Sequence, residues 1–262
     1  MKYRTTIEKI SYQFSVNGAI LTFLRIDPAI TIDDNKCINK LPMTCFDPSS
    51  DFEIAQGDVV ELTPTDTGVI LKVLAKSTRH RQSIKPEVCP FCGHPLISDG
   101  SLSYCLNKEC HAQMIQNILL LTSSLGLTFV GSNKRIFDIL VSSAVVSTPA
   151  DLFEIDLDKL YTLEEPVIHA QMFQQYLHSV RGHVTFDQIL KGLHIFGMTD
   201  DNVNRITDVF NKEGLTLLSV DKLFDKKLFT KYPEVDWIPW ELFIVMETNR
   251  KQLVRLCNIL HL

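Results

Sequence analysis

The stretch CPFCGHPLISDGSLSYCLNKEC, residues 89–110, decides how the rest of the chain reads. It sets two cysteine pairs, Cys89/Cys92 at C-x2-C and Cys105/Cys110 at C-x4-C, with twelve residues between them. Thiolates are soft ligands, and Zn²⁺ takes four of them at the corners of a tetrahedron, each pair presented by a short loop. Pro90 and Gly93 suit the tight turn that brings Cys89 and Cys92 to one ion. Four unrelated buried thiols or two disulfides are the competing readings, but paired spacing in a chain without secretory features is the zinc signature. The spacing therefore predicts a metal site at Cys89, Cys92, Cys105 and Cys110, with His94 and His111 beside it as substitute ligands. The spacing alone leaves open whether such a metal is structural or catalytic.

Outward from that cluster, composition sets bounds. The chain has 262 residues, 45% hydrophobic and 22% charged, which describes a folded protein with room for two or three small domains. The amino terminus lacks an apolar signal core and no run of about 18 apolar residues occurs, so the expected setting is a reducing cytoplasm. Cys37, Cys45 and Cys257 are scattered and read as packing residues. Net charge is −5, the wrong sign for coating nucleic acid by bulk electrostatics. The charge is segregated, however. Between Thr67 and Pro86 no acid occurs, while Lys72, Lys76, Arg79, Arg81 and Lys85 do; Asp151 to Glu165 carries six carboxylates against Lys159 alone.

Before the cysteines the pattern is β. Ile10, Tyr12, Phe14 and Val16 alternate with polar residues, Asn17-Gly18 suits a hairpin turn, and a second strand follows from Ala19 to Ile26. Asp27-Pro28 is expected to end it, because proline cannot extend a ladder. Gln56-Gly57-Asp58 turns into a strand at Val59–Leu62, and another runs from Val69 to Leu74. Several short strands within residues 1–76 suggest a small β-barrel of the oligonucleotide-binding (OB) type. Residues 77–112 read as a basic linker plus the finger. From 113 to 262 the pattern is helical: 112–125 closing at Gly126, 135–142, a helix start at Thr148-Pro149-Ala150-Asp151, then 166–180, 185–193, 200–211, 219–229 and 239–260. The expected fold class is thus multi-domain: an OB-type β-barrel, a four-cysteine zinc finger and an all-α domain of helical hairpins.

This order of parts resembles the carboxy-terminal region of the NAD⁺-dependent DNA ligases. The finger pattern C-P-x-C-G-x-P-L…C-x-N…C-x-A-Q falls on Cys89, Pro90, Cys92, Gly93, Pro95, Leu96, Cys105, Asn107, Cys110, Ala112 and Gln113. TPADLF at 148–153 matches that family's helix start, Gly57-Asp58-Val59-Val60 its barrel strand, and Asn17-Gly18 its hairpin ahead of the barrel. The adenylating K-x-D-G lysine is missing: the only Asp-Gly pair is Asp99-Gly100, with Ile97 in the lysine's place. The resemblance therefore implies no catalytic and no cofactor-binding residue here. It suggests the second subunit of a split ligase of bacteriophage type, acting in an infected bacterial cell. A separate adenylation subunit would hold NAD⁺ and Mg²⁺.

On that reading the chain binds Zn²⁺ structurally and grips nicked duplex DNA by backbone contacts. Helix-hairpin-helix turns hold phosphate because a glycine lets backbone N–H groups approach it. Gly131 with Lys134 and Arg135 fits this, and Gly197 fits loosely; the turns at 165–168 and 235–239 have no glycine. The DNA-contacting set is then Lys76, Arg79, Arg81, Lys85, Lys108, Gly131, Lys134, Arg135 and Gly197. The alternatives are a stand-alone DNA-binding protein or an inactive replication-interaction protein derived from a ligase. His169, His178, Trp237 and Trp240 form no catalytic constellation.

Overall fold

Alternation along the first thirty residues builds a sheet. The computed structural model describes residues 2–15, 19–32, 36–42, 53–65, 68–79, 82–83, 86–98, 102–107, 109–128, 133–163, 170–193, 195, 198–225, 231 and 240–261. Strands β1 (Tyr3–Phe14) and β2 (Ala19–Ile32) pair antiparallel from Thr6↔Asp27 to Phe14↔Ile20, with a bulge between Ile7 and Lys9. The main-chain N–H of Ser15 donates to Ala19 O at 2.8 Å; the Asn17-Gly18 turn lies outside the described residues.

The expected stop at Asp27-Pro28 is wrong, because β2 continues to Ile32. Its pairing with β3 (Lys36–Pro42) is bulged between Arg25 and Ile30, so Pro28 sits where no ladder donor is needed. The Pro28 carbonyl is used instead, accepting from Thr5 Oγ1 at 2.7 Å.

On the other side of β1 lies β5 (Val59–Thr65), followed by β6 (Gly68–Ala75); β4 (Glu53–Ile54) pairs with β7 (Gln82–Ser83). The larger sheet runs β6-β5-β1-β2-β9-β8, with β3 also on β2, where β8 is Ile97–Ser98 and β9 is Ser103–Tyr104. This antiparallel half-barrel is OB-like. Its core is Ile7, Leu24, Ile26, Ile30, Leu41, Ile54, Val60, Leu62 and Leu71. The Gly57-Asp58 step stitches it. Gly57 takes φ +91°, a conformation side chains disfavour. Asp58 is fully buried and accepts from the Ala55 N–H at 2.9 Å and the Ser77 N–H at 2.7 Å, while its carbonyl accepts from Ile7 N–H at 2.9 Å.

The chain divides into two compact units, Met1–Cys110 and His111–Leu262. The second begins with α1 (His111–Ser124), after which Gly126 takes φ +79° as expected of a helix-ending glycine. It continues through α2 (Asn133–Ser142), a 3-10 helix at Pro149–Glu154, α3 (Leu157–Tyr161) and α4 (Ala170–His178). Then come α5 (Phe186–Gly192), α6 (Asp200–Lys212), a 3-10 helix at Leu217–Phe224 and α7 (Trp240–Leu260). Ile118, Leu121, Phe137, Leu140, Phe153, Leu160, Leu177, Ile189, Leu253 and Leu256 are among its buried core. Asp151 does what its position predicts: its carboxylate accepts from the N–H groups of Ser147 at 2.9 Å and Thr148 at 2.7 Å. The helix it opens is a six-residue 3-10 turn, and the α-helix expected over 219–229 is likewise 3-10 over its described part. No helix among the described residues is long and apolar enough to cross a membrane. The hairpin turns expected at Gly131, 165–168, Gly197 and 235–239 fall on residues outside the described ones.

Candidate functional site

The finger is built from two loops closed by main-chain hydrogen bonds. In the first, Cys89 N–H donates to His94 O at 2.7 Å and Gly93 N–H to Cys89 O at 2.8 Å, with Gly93 at φ +73°. In the second, Cys110 N–H donates to Asn107 O at 3.0 Å, and the Asn107 side-chain oxygen accepts from Glu109 N–H at 3.1 Å. An Asx turn of this kind shapes the longer x4 spacing. The hairpin of β8 and β9 joins the half-barrel through Ala19↔Tyr104 and Ile20↔Ser103.

These loops bring the four predicted sulfurs together, all within 4.8 Å of one another. Cys92 and Cys105 Sγ are 3.6 Å apart, and Cys89 and Cys110 Sγ 4.0 Å. Zinc–sulfur bonds of about 2.3 Å at tetrahedral angles require sulfurs about 3.8 Å apart. A disulfide requires about 2.05 Å, and all four thiols are free. The donor set and its spacing therefore fit a four-thiolate zinc site. Cys89, Cys105 and Cys110 are buried and Cys92 is half-buried.

Electrostatics point the same way. Burial raises the Cys92 thiol, but hydrogen bonds from the His94 backbone, the Asn107 side chain and the neighbouring thiols outweigh it and bring it to about 6. Burial pushes Cys105 up to about 11, with the Cys92 and Cys89 thiols adding to the rise. One thiolate forms readily and opposes the next, so ionising the whole set calls for a cation among them. The histidines are engaged elsewhere. His94 Nδ1 lies 3.1 Å from Asn107 Nδ2, and His111 Nε2 pairs with Asp138 at 2.8 Å.

The finger has little core of its own. Within 88–107, Val88, Phe91, Ile97 and Leu106 are 52%, 43%, 57% and 63% exposed, while Leu96 and Leu102 are half-buried. Phe91 leans on Phe14 with ring centroids 5.1 Å apart. Elsewhere, Cys257 is a packing residue, its thiol pushed up to about 12 by burial. Cys37 is exposed, against the packing role expected of it, because it lies in β3 with its side chain turned away from the core. Cys45 lies outside the described residues.

Of the expected DNA-contacting set, Lys76, Arg79 and Arg135 are exposed at the surface. The segment around Arg79 is held to the half-barrel, since Ser77 is bound to Asp58 and Gln82–Ser83 pair with Glu53–Ile54. Lys134 lies in the first turn of α2. Arg81, Lys85, Lys108, Gly131 and Gly197 lie outside the described residues, as do His169 and Trp237. His178 ends α4; burial and the Arg181 charge lower its pKa, leaving a neutral imidazole.

No family profile matches the chain. It is 31% identical over 166 residues to a DNA ligase of Sulfurimonas denitrificans, covering 61% of this chain and 25% of that protein. It is 25% identical over 167 residues to a DNA ligase of Methylacidiphilum infernorum, covering 62% and 24%. A DNA ligase of Rhodopirellula baltica matches at 22% over 198 residues, covering 72% and 28%. The chain is thus similar over most of its length to a part of the bacterial DNA ligases that makes up about a quarter of theirs.

Proposed function

We propose that this chain is the DNA-gripping part of an NAD⁺-dependent DNA ligase. It would act on nicked duplex together with a separate adenylation subunit carrying the nucleophilic lysine, NAD⁺ and Mg²⁺. The observation that carries this reading is the four-cysteine cluster, in the same chain as a sequence match to bacterial DNA ligases. The missing K-x-D-G lysine supports placing nucleotide transfer elsewhere.

On this reading Cys89, Cys92, Cys105 and Cys110 hold Zn²⁺, which cross-links two loops and performs no step of the reaction. Cations such as Lys76, Arg79, Arg81, Lys85, Lys108, Lys134 and Arg135 neutralise phosphates. Gly131 and Gly197 are the glycines that would let N–H groups approach the DNA backbone. Fixing both nick termini in register is the contribution, because displacement of AMP needs the attacking 3′ hydroxyl in line with the leaving group.

The test is nick sealing. The chain is mixed with the adenylation part of an NAD⁺-dependent DNA ligase, NAD⁺, Mg²⁺ and nicked duplex. Sealing should rise well above that of the adenylation part alone; equal rates with and without the chain refute the reading.

A further inference from the structure

Strand pairing gathers apolar side chains that the finger leaves in solvent. Val88 bridges Pro95 antiparallel, a pairing closed by Cys89 N–H donating to His94 O at 2.7 Å and Leu96 N–H to Glu87 O at 2.9 Å. Pro95 and Ile97 stand two apart along one extended stretch, and Ile97 pairs with Tyr104 of β9. Directly opposed residues share a face, as do residues two apart, so Val88, Pro95, Ile97 and Tyr104 lie on the same side of the ladder. Val88 and Ile97 are more than half exposed, Pro95 is exposed and Tyr104 is half-buried. The exposed face ends at Tyr104, because its partner in β2, Ala19, is fully buried.

The charge around this face has one sign. Between Pro86 and Asn107 the sequence has no lysine or arginine, whereas Glu87 and Asp99 fall there; Lys108 and Glu109 follow as an opposed pair. Glu87, next to Val88, and Glu109 are both exposed. A zinc ion held by four thiolates would add further negative charge. Such a surface repels phosphate and attracts cations. Contiguous exposed apolar side chains rimmed by polar groups mark protein contacts.

We propose that this face of the finger, centred on Val88 and Ile97, is a docking surface for a separate protein that presents one or two apolar side chains between lysines or arginines. Its three strands, about 4.8 Å apart, make the face roughly 10 Å across. That is room for the anchor side chains of a short segment and too little for a permanent subunit interface, so the contact is weak and reversible. The apolar anchors cover Val88 and Ile97, and the flanking cations meet Glu87 and Glu109. These residues are separate from those assigned to DNA above, so the surface stands or falls independently of that reading.

The probe is a fluorescein-labelled peptide with two lysines on either side of Val-Ile-Val, titrated with the full zinc-loaded chain and followed by anisotropy. One comparison peptide has glutamates for the lysines, and another has serines for the apolar residues. The unmodified chain should bind the first peptide at least about tenfold more tightly than either comparison. Val88 and Ile97 each have about half a side chain left to bury, so Val88→Ser/Ile97→Ser should weaken binding at least about tenfold. Glu87→Lys/Glu109→Lys, which leaves the apolar residues alone, should weaken it several-fold at 50 mM salt and less at 300 mM. Leu218→Ser, which removes an exposed leucine of the helical unit, should change nothing. Zinc content and circular dichroism check that each variant folds, and if the serines disturb the finger the charge variant decides by itself. No preference for the lysine-flanked peptide, or a preference that survives the folded variants, overturns the proposal. Nicked-duplex binding weakened by the serines while peptide binding is absent or unaffected makes the face a nucleic-acid surface and overturns it too. Dimerisation that the serines abolish, without peptide binding, assigns the face to a second copy and likewise overturns it.

Discussion

Asn107 is the residue whose replacement tests the metal centre most sharply. It links the two loops of the finger. Its backbone carbonyl holds Cys110 N–H at 3.0 Å, its side-chain oxygen holds Glu109 N–H at 3.1 Å, and its amide nitrogen faces His94 Nδ1 at 3.1 Å. The same side chain hydrogen-bonds the Cys92 thiol and helps lower its pKa. Asn107→Asp keeps the acceptor that shapes the second loop but removes the donor, and it sets a carboxylate beside four thiolates. Losing an outer-shell partner of this kind costs about 10–100-fold in metal affinity, or about 1.4–2.7 kcal/mol. Charge repulsion adds to that, at about 1 kcal/mol for a solvated pair 4 Å apart. Asn107→Ala loses the donor and the turn but introduces no charge. The expected order of zinc retention is therefore wild type, then Ala, then Asp, read by competition with a chromophoric chelator. With Co²⁺ in place of zinc, both variants should also shift the sulfur-to-metal charge-transfer band, because a hydrogen bond to one thiolate is gone. Wild-type retention and an unshifted band in both variants would refute the role assigned to Asn107.

Three further outcomes follow from the geometry. At Gly192 an added Cβ would lie 2.7 Å from Leu121 Cδ1 and 3.0 Å from the Leu121 backbone, which cannot swing aside. Gly192→Ala should therefore destabilise the helical unit by about 1–2 kcal/mol despite alanine's better helix propensity, lowering its Tm by several degrees in calorimetry; an unchanged Tm refutes the close α1–α5 approach. Asp151 has a lowered pKa: burial opposes the change, but the N–H groups of Ser147 and Thr148 and the Arg255 guanidinium outweigh it. Its contribution is thus present above the ordinary carboxylate pKa and lost as pH falls through the folded value. Arg255→Met should leave less stability to lose on acidification below pH 4, and an unaltered pH profile of urea unfolding would contradict the pairing. Finally, if the segment after β6 contacts DNA, Arg79→Glu should flatten the salt slope of duplex binding by about one; an unchanged slope places Arg79 in solvent.

What could be read in advance was what depends on neighbours in sequence. The four-cysteine site is legible because C-x2-C and C-x4-C each fit one loop, and β1 because its alternation is unbroken from Ile10 to Phe14. The Thr148–Asp151 start is legible because a cap is a four-residue interaction. Proline at position 28 misleads, because the rule against it applies to a paired ladder position and the bulge that frees it is set by β3, eight residues on. Helix α3 escapes notice since five residues are little more than one turn, too few to show a period. The basic segment at 76–85 is visible as a run, whereas Val88, Ile97 and Tyr104 are brought to one face only by strand pairing.

Strand pairing also ties the metal to the half-barrel. Strand β2 pairs with β9 of the finger at Ala19 and Ile20, and five residues on it carries Arg25, opposite Lys9 of β1 and Lys40 of β3. The finger, with Val88, Phe91, Ile97 and Leu106 exposed, is expected to depend on a metal for order, as small zinc modules do. Removing the metal should free β9 and leave the Ala19 end of β2 without its β9 partner. Arg25 is held from both flanks, by β1 and β3, so this part of the sheet should outlast the finger. Chelation should then strip amide-exchange protection from β8 and β9 while leaving it in place along β1, β2 and β3. Loss of protection along β1, β2 and β3 as well would mean that the half-barrel needs the metal to keep its register.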